Sequence, residues 1–240
     1  MSKLDELIKE YCRGGVEYKP LKDVCNILDS KRKPITKAMR DKGEYPYYGA
    51  NGIQDYVSGY IFNGTFVLVG EDGSVITENG TPVVNWATGK IWVNNHAHIV
   101  EEKDGLLLRF LFYYIQTVNV RHLVHGNIPK LNQGDFGQIQ IPIPPLPVQE
   151  EIVRILDTFS ELTAELTARK KQYASYRDKL LAFDASVPTK VLGEMVVAKT
   201  GTKPGTILEF GQIEYINAGT TNSGYAENTN FDGDTVTTPS

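Results

Sequence analysis

Apolar residues recur in steps of three and four along residues 149–183, a stretch that contains neither glycine nor proline. This heptad spacing predicts one helix roughly 50 Å long, with a narrow apolar stripe that packs against a second helix in this chain or in another. The alternative is a core helix of a single domain, but such helices are usually much shorter. The stripe, a candidate dimerisation surface, consists of Ile152, Ile155, Phe159, Leu162, Leu166, Tyr173, Tyr176, Leu180 and Phe183, with Arg169 in place of one member.

The segment Ile141–Pro147 precedes this helix and contains four prolines. Proline fixes the backbone and lacks an N–H group, so we expect an extended lead-in without helix. Within the helix, Glu161 and Glu165 belong to a mainly acidic first half, and Lys170 and Lys171 to a mainly basic second half. This order is favourable for the helix dipole and would also match the two halves of an antiparallel pair.

Residues 45–99 have a different pattern, in which short β-prone runs alternate with Asn-Gly, Asp-Gly and Thr-Gly pairs. Such pairs are typical of tight turns, so the pattern predicts a compact, turn-rich sheet. Leu4–Tyr11 is predicted to be a short helix before the sheet, and Leu106–Val120 a helix packed against it. A polar loop, Arg121–Gln140, then leads to the proline-rich segment.

Two late segments repeat the residue order of earlier ones. Val187–Glu194 matches Val16–Asp23 at an offset of 171, and Tyr225–Val236 matches Tyr56–Val67 at an offset of 169. We interpret this as an internal repeat in which a globular unit is followed by a long helix. The sequence therefore predicts an α+β protein with three parts, namely a turn-rich mixed β domain at 1–145, a lead-in and long coiled-coil helix at 146–185, and an incomplete second domain at 186–240.

Composition changes this picture little. Hydrophobic residues make up 41% and charged residues 22% of the 240 positions, as in ordinary soluble domains. The start of the chain is charged from Lys3 onward and no apolar run reaches membrane-spanning length, so we expect a cytoplasmic protein without membrane association. Cys12 and Cys25 are isolated and are expected to be reduced thiols.

Charge is uneven along the chain. The net charge is −4, but the segment Lys31–Lys42 has six basic residues and one acidic residue, a net charge of +5. This segment is either a solvated loop or a loop that contacts the phosphates of a nucleic acid, because local charge decides such binding.

Aromatic and amide side chains near the basic segment are able to contact bases. The competing interpretation makes the tyrosines core residues and Asn51-Gly52 a hairpin turn. The candidate DNA-binding residues are Lys31, Arg32, Lys33, Lys37, Arg40, Tyr47, Tyr48, Asn51, Lys90, Asn94, Asn95, Arg121, His125 and Asn127.

Catalytic motifs are scarce in this sequence. It contains no glycine-rich phosphate loop, nucleophile elbow or amino-methyltransferase tetrapeptide. His96 and His98 have the spacing of a metal pair on a strand, but they lack a further ligand at suitable spacing and are better explained as strand residues of the core. An alternative function is a metal-dependent nuclease that uses Asp72, Glu101 and Lys103. A third interpretation is a coiled-coil assembly protein that does not bind DNA.

Taken together, these features resemble the specificity subunit of type I restriction-modification systems. The most specific match is Ile139–Val153, IQIPIPPLPVQEEIV, which is similar to the junction into the central helix of that family. Tyr47–Ile53, Val69–Ser74 and Asn127–Leu131 are similar to segments of its target-recognition domains. The resemblance spans nearly the whole chain.

The resemblance implies a non-catalytic protein that recognises double-stranded DNA. In the family, two recognition domains alternate with two long helices, which pair antiparallel as a spacer, and each domain reads half of a split site. S-adenosylmethionine and methylation belong to the modification subunit, and cleavage belongs to a restriction (motor) subunit, so no cofactor is expected on this chain. Since a second long helix is missing from this sequence, we expect a homodimer through the first one.

Overall fold

The computed structural model describes residues 2–73, 75–127, 129–184, 186–197, 204–216 and 222–229. The chain divides into two compact units, Met1–Tyr173 and Ala174–Ser240. Most of the regular structure belongs to the first unit, and one long helix continues from the first unit into the second. No helix among the described residues is both long enough and apolar enough to cross a membrane.

The first unit combines short helices with a larger number of strands. Its strands are β1 (Tyr18–Pro20), β2 (Asn26–Ile27), β3 (Lys42–Gly49), β4 (Gly52–Val57), β5 (Phe62–Gly70), β6 (Val84–Val93), β7 (Ala97–Glu101), β8 (Val124–His125), β9 (Lys130–Leu131) and β10 (Gln140–Pro142). Its short helices are α1 (Lys3–Tyr11), α2 (Leu21–Val24), α3 (Leu108–Ile115) and α4 (Gln133–Gly137), and it also contains most of the long helix α5 (Leu146–Leu180). Short 3-10 turns occupy Asp29–Lys31, Lys37–Met39 and Arg121–Leu123.

A six-stranded sheet in the order β2-β7-β5-β6-β3-β4 forms the centre of the first unit. Neighbouring strands pair antiparallel except β3 and β6, which are parallel, with Tyr47 opposite Trp92 and Tyr48 opposite Val93. Two smaller antiparallel pairs, β1 with β10 and β8 with β9, lie outside this sheet. The predicted turn-rich, mixed sheet is therefore confirmed.

Both faces of the sheet are buried. Along β5, Val67 and Val69 point into one core cluster, whereas Phe66 and Leu68 point into another, because successive side chains of a strand lie on opposite faces. The first cluster also includes the buried side chains of α2, α3 and α4. Each fully buried large apolar side chain contributes roughly 1.5–3 kcal/mol to stability.

Helix α3 is shorter at both ends than the predicted range Leu106–Val120. At its C-terminal end the Thr117 hydroxyl donates to the Tyr114 carbonyl at 2.7 Å, and the Val120 N–H donates to the Gly80 carbonyl at 2.9 Å. Residues 117–120 are β-branched or asparagine, which favour such local bonds over helix. Residues 16–28, whose pattern predicts an extended segment, likewise contain the single helical turn α2.

Helix α5 has the predicted length but begins three residues earlier than expected. The Pro145 carbonyl accepts hydrogen bonds from the N–H groups of Val148 and Gln149, and Pro147 lies inside the first turn. The expectation of an extended chain through Pro147 is therefore wrong, because a first-turn proline lacks only an N–H group that has no partner there.

Polar side chains attach the first turns of α5 to the first unit. Gln149 is fully buried, and its amide donates to the carbonyls of Gly105 at 2.9 Å and Pro144 at 2.8 Å. Its carbonyl oxygen accepts from the Leu107 N–H at 2.9 Å. One turn further, Glu151 accepts from Lys3 of α1 at 2.9 Å and from Arg154. These bonds fix the direction in which α5 leaves the domain.

The predicted dimerisation stripe falls into two parts. Ile152 packs against the first core cluster and is therefore not available to a partner helix, and Ile155 is half-buried. Each of the remaining members is more than half exposed, namely Phe159, Leu162, Leu166, Tyr173, Tyr176, Leu180 and Phe183.

The second unit contains α6 (Leu192–Met195) and a hairpin of β11 (Ile213–Ile216) and β12 (Asn222–Ala226). At the offsets of the sequence repeat, α6 corresponds to α2, and the hairpin corresponds to β3 and β4, which also pair with a register shift. The repeated residues Phe231–Val236 lie outside the described residues. The division at 145 and 185 stays a prediction.

We expect Gln149→Leu to destabilise the protein by several kcal/mol. The substitution leaves one buried N–H and two carbonyls without partners, and each such group costs roughly 1–3 kcal/mol. Urea unfolding followed by circular dichroism measures the loss. Gln172→Leu, at an exposed position of the same helix, is the matched control, and equal losses in both variants would contradict the anchoring role.

Acid should weaken the attachment of α5 through Glu151. Hydrogen bonds from Arg154 and Lys3 lower the pKa of the Glu151 carboxyl from 4.5 to about 2. A lowered pKa means that the stabilisation is complete above about pH 4.5 and is lost as the pH falls towards 2. We therefore expect Glu151→Gln to be less stable than the unaltered protein near neutral pH and equally stable near pH 2.

Urea midpoints across this pH window provide the measurement. Glu150→Gln, at the exposed neighbouring carboxyl, should keep the pH dependence of the unaltered protein. A constant difference between Glu151→Gln and the unaltered protein at every pH would show that the ion pair does not supply the stability.

Candidate nucleic-acid interface

The basic segment alternates between exposed lysines and inward-facing arginines. Lys31, Lys33 and Lys37 are exposed, and no ion pair joins them to an acidic side chain of the described residues. The backbone near them is held in place, since the Lys33 carbonyl accepts from the Trp92 indole N–H at 2.6 Å. The three lysines thus remain available for phosphate on a loop whose backbone is fixed.

Arg32 does not face solvent, contrary to the prediction that it contacts DNA. Its side chain is only 11% exposed, and its guanidinium pairs with Glu71 and, at 3.4 Å, with Asp29. It also donates to the Ala97 carbonyl at 2.7 Å. A planar guanidinium with several donors suits such a buried site better than a phosphate contact at the surface.

Arg40 is also engaged within the protein. Its guanidinium lies 4.1 Å from the centre of the Tyr47 ring, and it forms an ion pair with Asp55 at 3.5 Å. Its Nε donates to the Ile35 carbonyl at 3.2 Å. The structure therefore does not support the prediction of a direct DNA contact by Arg40.

The tyrosines after the basic segment belong to the core, as the competing interpretation held. Tyr47 is 1% exposed, and its hydroxyl donates to the Ile35 carbonyl at 3.3 Å. Tyr48 packs in the second core cluster, and burial raises the pKa of its hydroxyl. Ala50 and Asn51 form the turn between β3 and β4, and Gly52, the first residue of β4, has a φ of +107°. Asn51 remains exposed at this turn, but Tyr47 and Tyr48 are not free to contact bases.

The asparagine pair after β6 is split between interior and surface. Asn94 is buried, and its amide donates to Gln54 at 3.3 Å, while its carbonyl oxygen accepts from the His96 N–H at 2.8 Å. The prediction that Asn94 reads bases is therefore wrong, whereas Asn95 is exposed.

Lys90 stands over two aromatic rings at the surface. Its ammonium lies 4.9 Å from the centre of the Tyr60 ring and 5.7 Å from that of Tyr45. The two rings contact each other edge to face at 5.2 Å. Such a cation–π arrangement holds an exposed lysine in one direction and leaves its charge accessible.

The predicted residues of the polar loop are exposed. Arg121 donates to the Glu78 carbonyl at 2.8 Å, and His125 lies 3.8 Å from Asp135. Asn127 is exposed at the turn that follows β8.

A buried ion-pair cluster lies beneath these loops, and sequence reasoning did not find it. It contains Asp29, Arg32, Glu71 and His98. His98 is fully buried, as expected for a core histidine, with Nδ1 2.6 Å from the Asp29 carboxylate. Burial raises the pKa of Glu71, but hydrogen bonds from Arg32 and Lys130 and the charge of His98 outweigh this, so the net pKa is lowered.

Asp29, Glu71 and His98 lie close enough together to hold a metal ion. However, Arg32 already pairs with both carboxylates, and Lys130 pairs with Glu71 at 3.1 Å. Cations of the protein itself therefore neutralise this cluster, so we interpret it as structural.

The three residues of the nuclease alternative do not come together. Strands β5 and β7 pair antiparallel with Gly70 opposite Ala97, so Asp72 lies beyond one end of the ladder. Glu101 is the last residue of β7, at the opposite end of the ladder and about 13 Å along the strand from Ala97. Lys103 donates to a main-chain carbonyl at 3.0 Å. This geometry excludes a joint metal site for these residues.

The chain is similar to known proteins over most of its length. Residues 14–174 match the family model for the type I restriction modification DNA specificity domain. A putative type I restriction enzyme specificity subunit (S.HindORF215P) of Haemophilus influenzae is 47% identical over 193 residues, which cover 75% of this chain and 50% of that protein. The EcoR124I/EcoR124II specificity subunit of Escherichia coli is 43% identical over 219 residues, which cover 81% of this chain and 52% of that protein.

Solved structures share the fold. The type I restriction-modification S subunit from M. genitalium has a TM-score of 0.66, covering 92% of this chain and 64% of that chain at 18% identity. A chain from a structure of type I complex assembly and conformational transition has a TM-score of 0.54, covering 74% of this chain and 48% of that chain at 19% identity.

These matches identify the family and confirm the α+β class. The chain belongs to the type I restriction modification DNA specificity domain family, and it spans about half the length of the curated relatives it matches.

Proposed function

We propose that this chain is a DNA-recognition subunit, without catalytic chemistry of its own, of a type I restriction-modification complex. Its ligand is double-stranded DNA. The observation that carries the proposal is the exposure of Lys31, Lys33 and Lys37 on one loop, whose backbone accepts a hydrogen bond from Trp92. Arg32 of the same loop reaches the carbonyl of the exposed Asn95 at 3.5 Å. Phosphate contacts place a protein on DNA, and side chains at base edges then provide specificity.

The partners follow from the family. Its relatives are named specificity subunits of type I restriction enzymes. We propose that this chain works with a modification subunit, which carries S-adenosylmethionine, and with a restriction subunit, in the cytoplasm. The separation of Asp72 from Glu101 argues against the nuclease alternative.

We further propose a homodimer through α5. From Phe159 onward the apolar stripe is exposed, and burying it would be favourable by on the order of 1.5 kcal/mol per large side chain. An open groove along the helix, bordered by Tyr113, Thr163 and Lys171, offers further room for a partner helix. Antiparallel packing about a two-fold axis would bring acidic first halves beside basic second halves.

Such a dimer would present two identical recognition domains. The DNA site would then be an interrupted palindrome, with the same half-site read twice in inverted orientation. The length of α5 would limit the separation of the two half-sites.

Replacing Lys31, Lys33 and Lys37 together with glutamine should weaken binding to all DNA sequences alike. The slope of log affinity against log salt is negative, and each lost phosphate contact makes it shallower by about 0.9. The measurement is duplex affinity at several salt concentrations, in the complex with the modification subunit. Replacing Lys9, Lys22 and Lys190, which are exposed outside both the basic segment and α5, provides a charge-matched control, and an unchanged slope in the first variant would contradict the phosphate role.

Phe159→Asp combined with Leu166→Asp should convert dimers to monomers and abolish methylation. Two carboxylates in the stripe would have to be desolvated on pairing, which is strongly unfavourable. Multi-angle light scattering at micromolar concentration measures the mass. Gln172→Asp with Ser175→Asp adds the same charge at exposed positions outside the stripe and should leave the dimer intact. A monomeric unaltered protein, or an asymmetric methylated site, would refute the dimer.

A further inference from the structure

The guanidinium of Arg32 lies where several segments of the candidate interface meet. It pairs with Glu71, donates to the Ala97 carbonyl at 2.7 Å and reaches the Asn95 carbonyl at 3.5 Å. Its Nε donates to the Asp29 carbonyl at 2.9 Å, at the turn where the basic segment begins. One side chain therefore joins the basic segment to the loop that carries Asn95.

Glu71 extends this connection to the loop at 124–131. Its second carboxylate oxygen pairs with Lys130 at 3.1 Å, and its main-chain carbonyl accepts from the Leu131 N–H at 2.8 Å. Its own N–H donates to the His96 carbonyl at 2.9 Å. Arg32 and Glu71 together thus hold three loops, each of which carries candidate DNA-binding residues.

His98 completes the network beneath these loops. Its Nδ1 lies 2.6 Å from Asp29, its Nε2 donates to the Leu131 carbonyl at 2.8 Å, and its ring stacks on Phe136 at 4.3 Å. Every buried polar side-chain atom in the described part of the chain has a hydrogen-bond partner. A fully satisfied buried network is rigid, and removing one member leaves an uncompensated charge.

We propose that Arg32 and Glu71 are positioning residues of the DNA interface, which fix three loops in one arrangement without touching DNA. The proposal rests on the proposed DNA-recognition function. Arg32 stands between Lys31 and Lys33, so its buried contacts determine where these two exposed lysines emerge. Loops that already have one fixed arrangement in the folded protein lose less conformational entropy on binding, and this raises affinity.

Because Glu71 is negatively charged, its substitution distinguishes a positioning role from a purely electrostatic effect on DNA binding. If Glu71 acted only as a charge near DNA, Glu71→Gln would remove repulsion and tighten binding. If Glu71 positions the loops, the same isosteric change frees Arg32 and Lys130 from their shared partner and weakens binding, although the protein becomes more positive.

The experiment measures duplex affinity and its salt dependence for the full chain in complex with the modification subunit. We expect Glu71→Gln to weaken binding at least about tenfold with an unchanged salt slope, because no phosphate contact is lost. Arg32→Gln should behave in the same way, and Arg32→Lys should restore part of the affinity. Lys33→Gln, at the adjacent exposed position, should instead make the negative salt slope shallower by about 0.9.

Glu44→Gln is the charge-matched control, since Glu44 is exposed next to the basic segment. It should leave affinity unchanged or raise it. Thermal melting establishes that each variant is folded, and the isosteric Glu71→Gln decides the outcome if Arg32→Gln does not fold. Tighter binding by Glu71→Gln, or a shallower salt slope for Arg32→Gln, would overturn the positioning role.

The two proposals fail in different ways. If the complex of the unaltered chain does not bind duplex DNA, the proposed function is wrong. If that complex binds and Glu71→Gln binds equally well, DNA recognition stands and the positioning role is wrong.

Discussion

The fold depends on how the buried Gln149 satisfies three main-chain groups at the base of α5. Its amide and carbonyl bond to Gly105, Leu107 and Pro144, so the segment before α3, the lead-in and the helix are fixed to one another. A rotation of a few degrees at the base of a helix roughly 50 Å long would move its far end by several ångströms. Because hydrogen bonds are directional, a buried amide restricts this rotation more than an apolar contact of equal size would.

The candidate interface divides its basic residues by chemistry. Arg32 and Arg40 face inward, where a planar guanidinium binds carboxylates, carbonyls and an aromatic ring at once. The neighbouring lysines face solvent, where a compact and mobile ammonium can follow phosphate without a fixed geometry. The inward residues determine where the loop runs, and the outward residues supply its charge. Substitutions of the two groups should therefore differ in their effect on salt dependence, although all of these residues are basic and neighbours in sequence.

Elements with strong periodicity could be predicted from the sequence, whereas long-range polar pairs could not. The heptad spacing of α5 and the turn-separated strands repeat many times, so misreading a single position such as Pro147 changes only the predicted first residue of the helix. By contrast, nothing in the sequence near Arg32 indicates that its partner is Glu71, 39 residues away. Burial of Tyr47 and Asn94 likewise depends on strand register, which a tyrosine-rich run does not reveal. The charge of the sequence therefore predicts where the candidate interface lies, but it does not separate inward-facing from outward-facing residues.

Under the proposed function, the distribution of charge predicts that this chain needs a partner to bind DNA tightly. The net charge is −4, and the basic residues available for phosphate are concentrated in one segment and a few isolated positions. A single recognition module offers a small footprint, and non-specific attraction scales with the number of phosphate contacts. An acidic chain with a local basic segment is attracted to DNA chiefly in orientations that present that segment. Affinity would then come from the assembled complex, and this chain would contribute the geometry that selects the site.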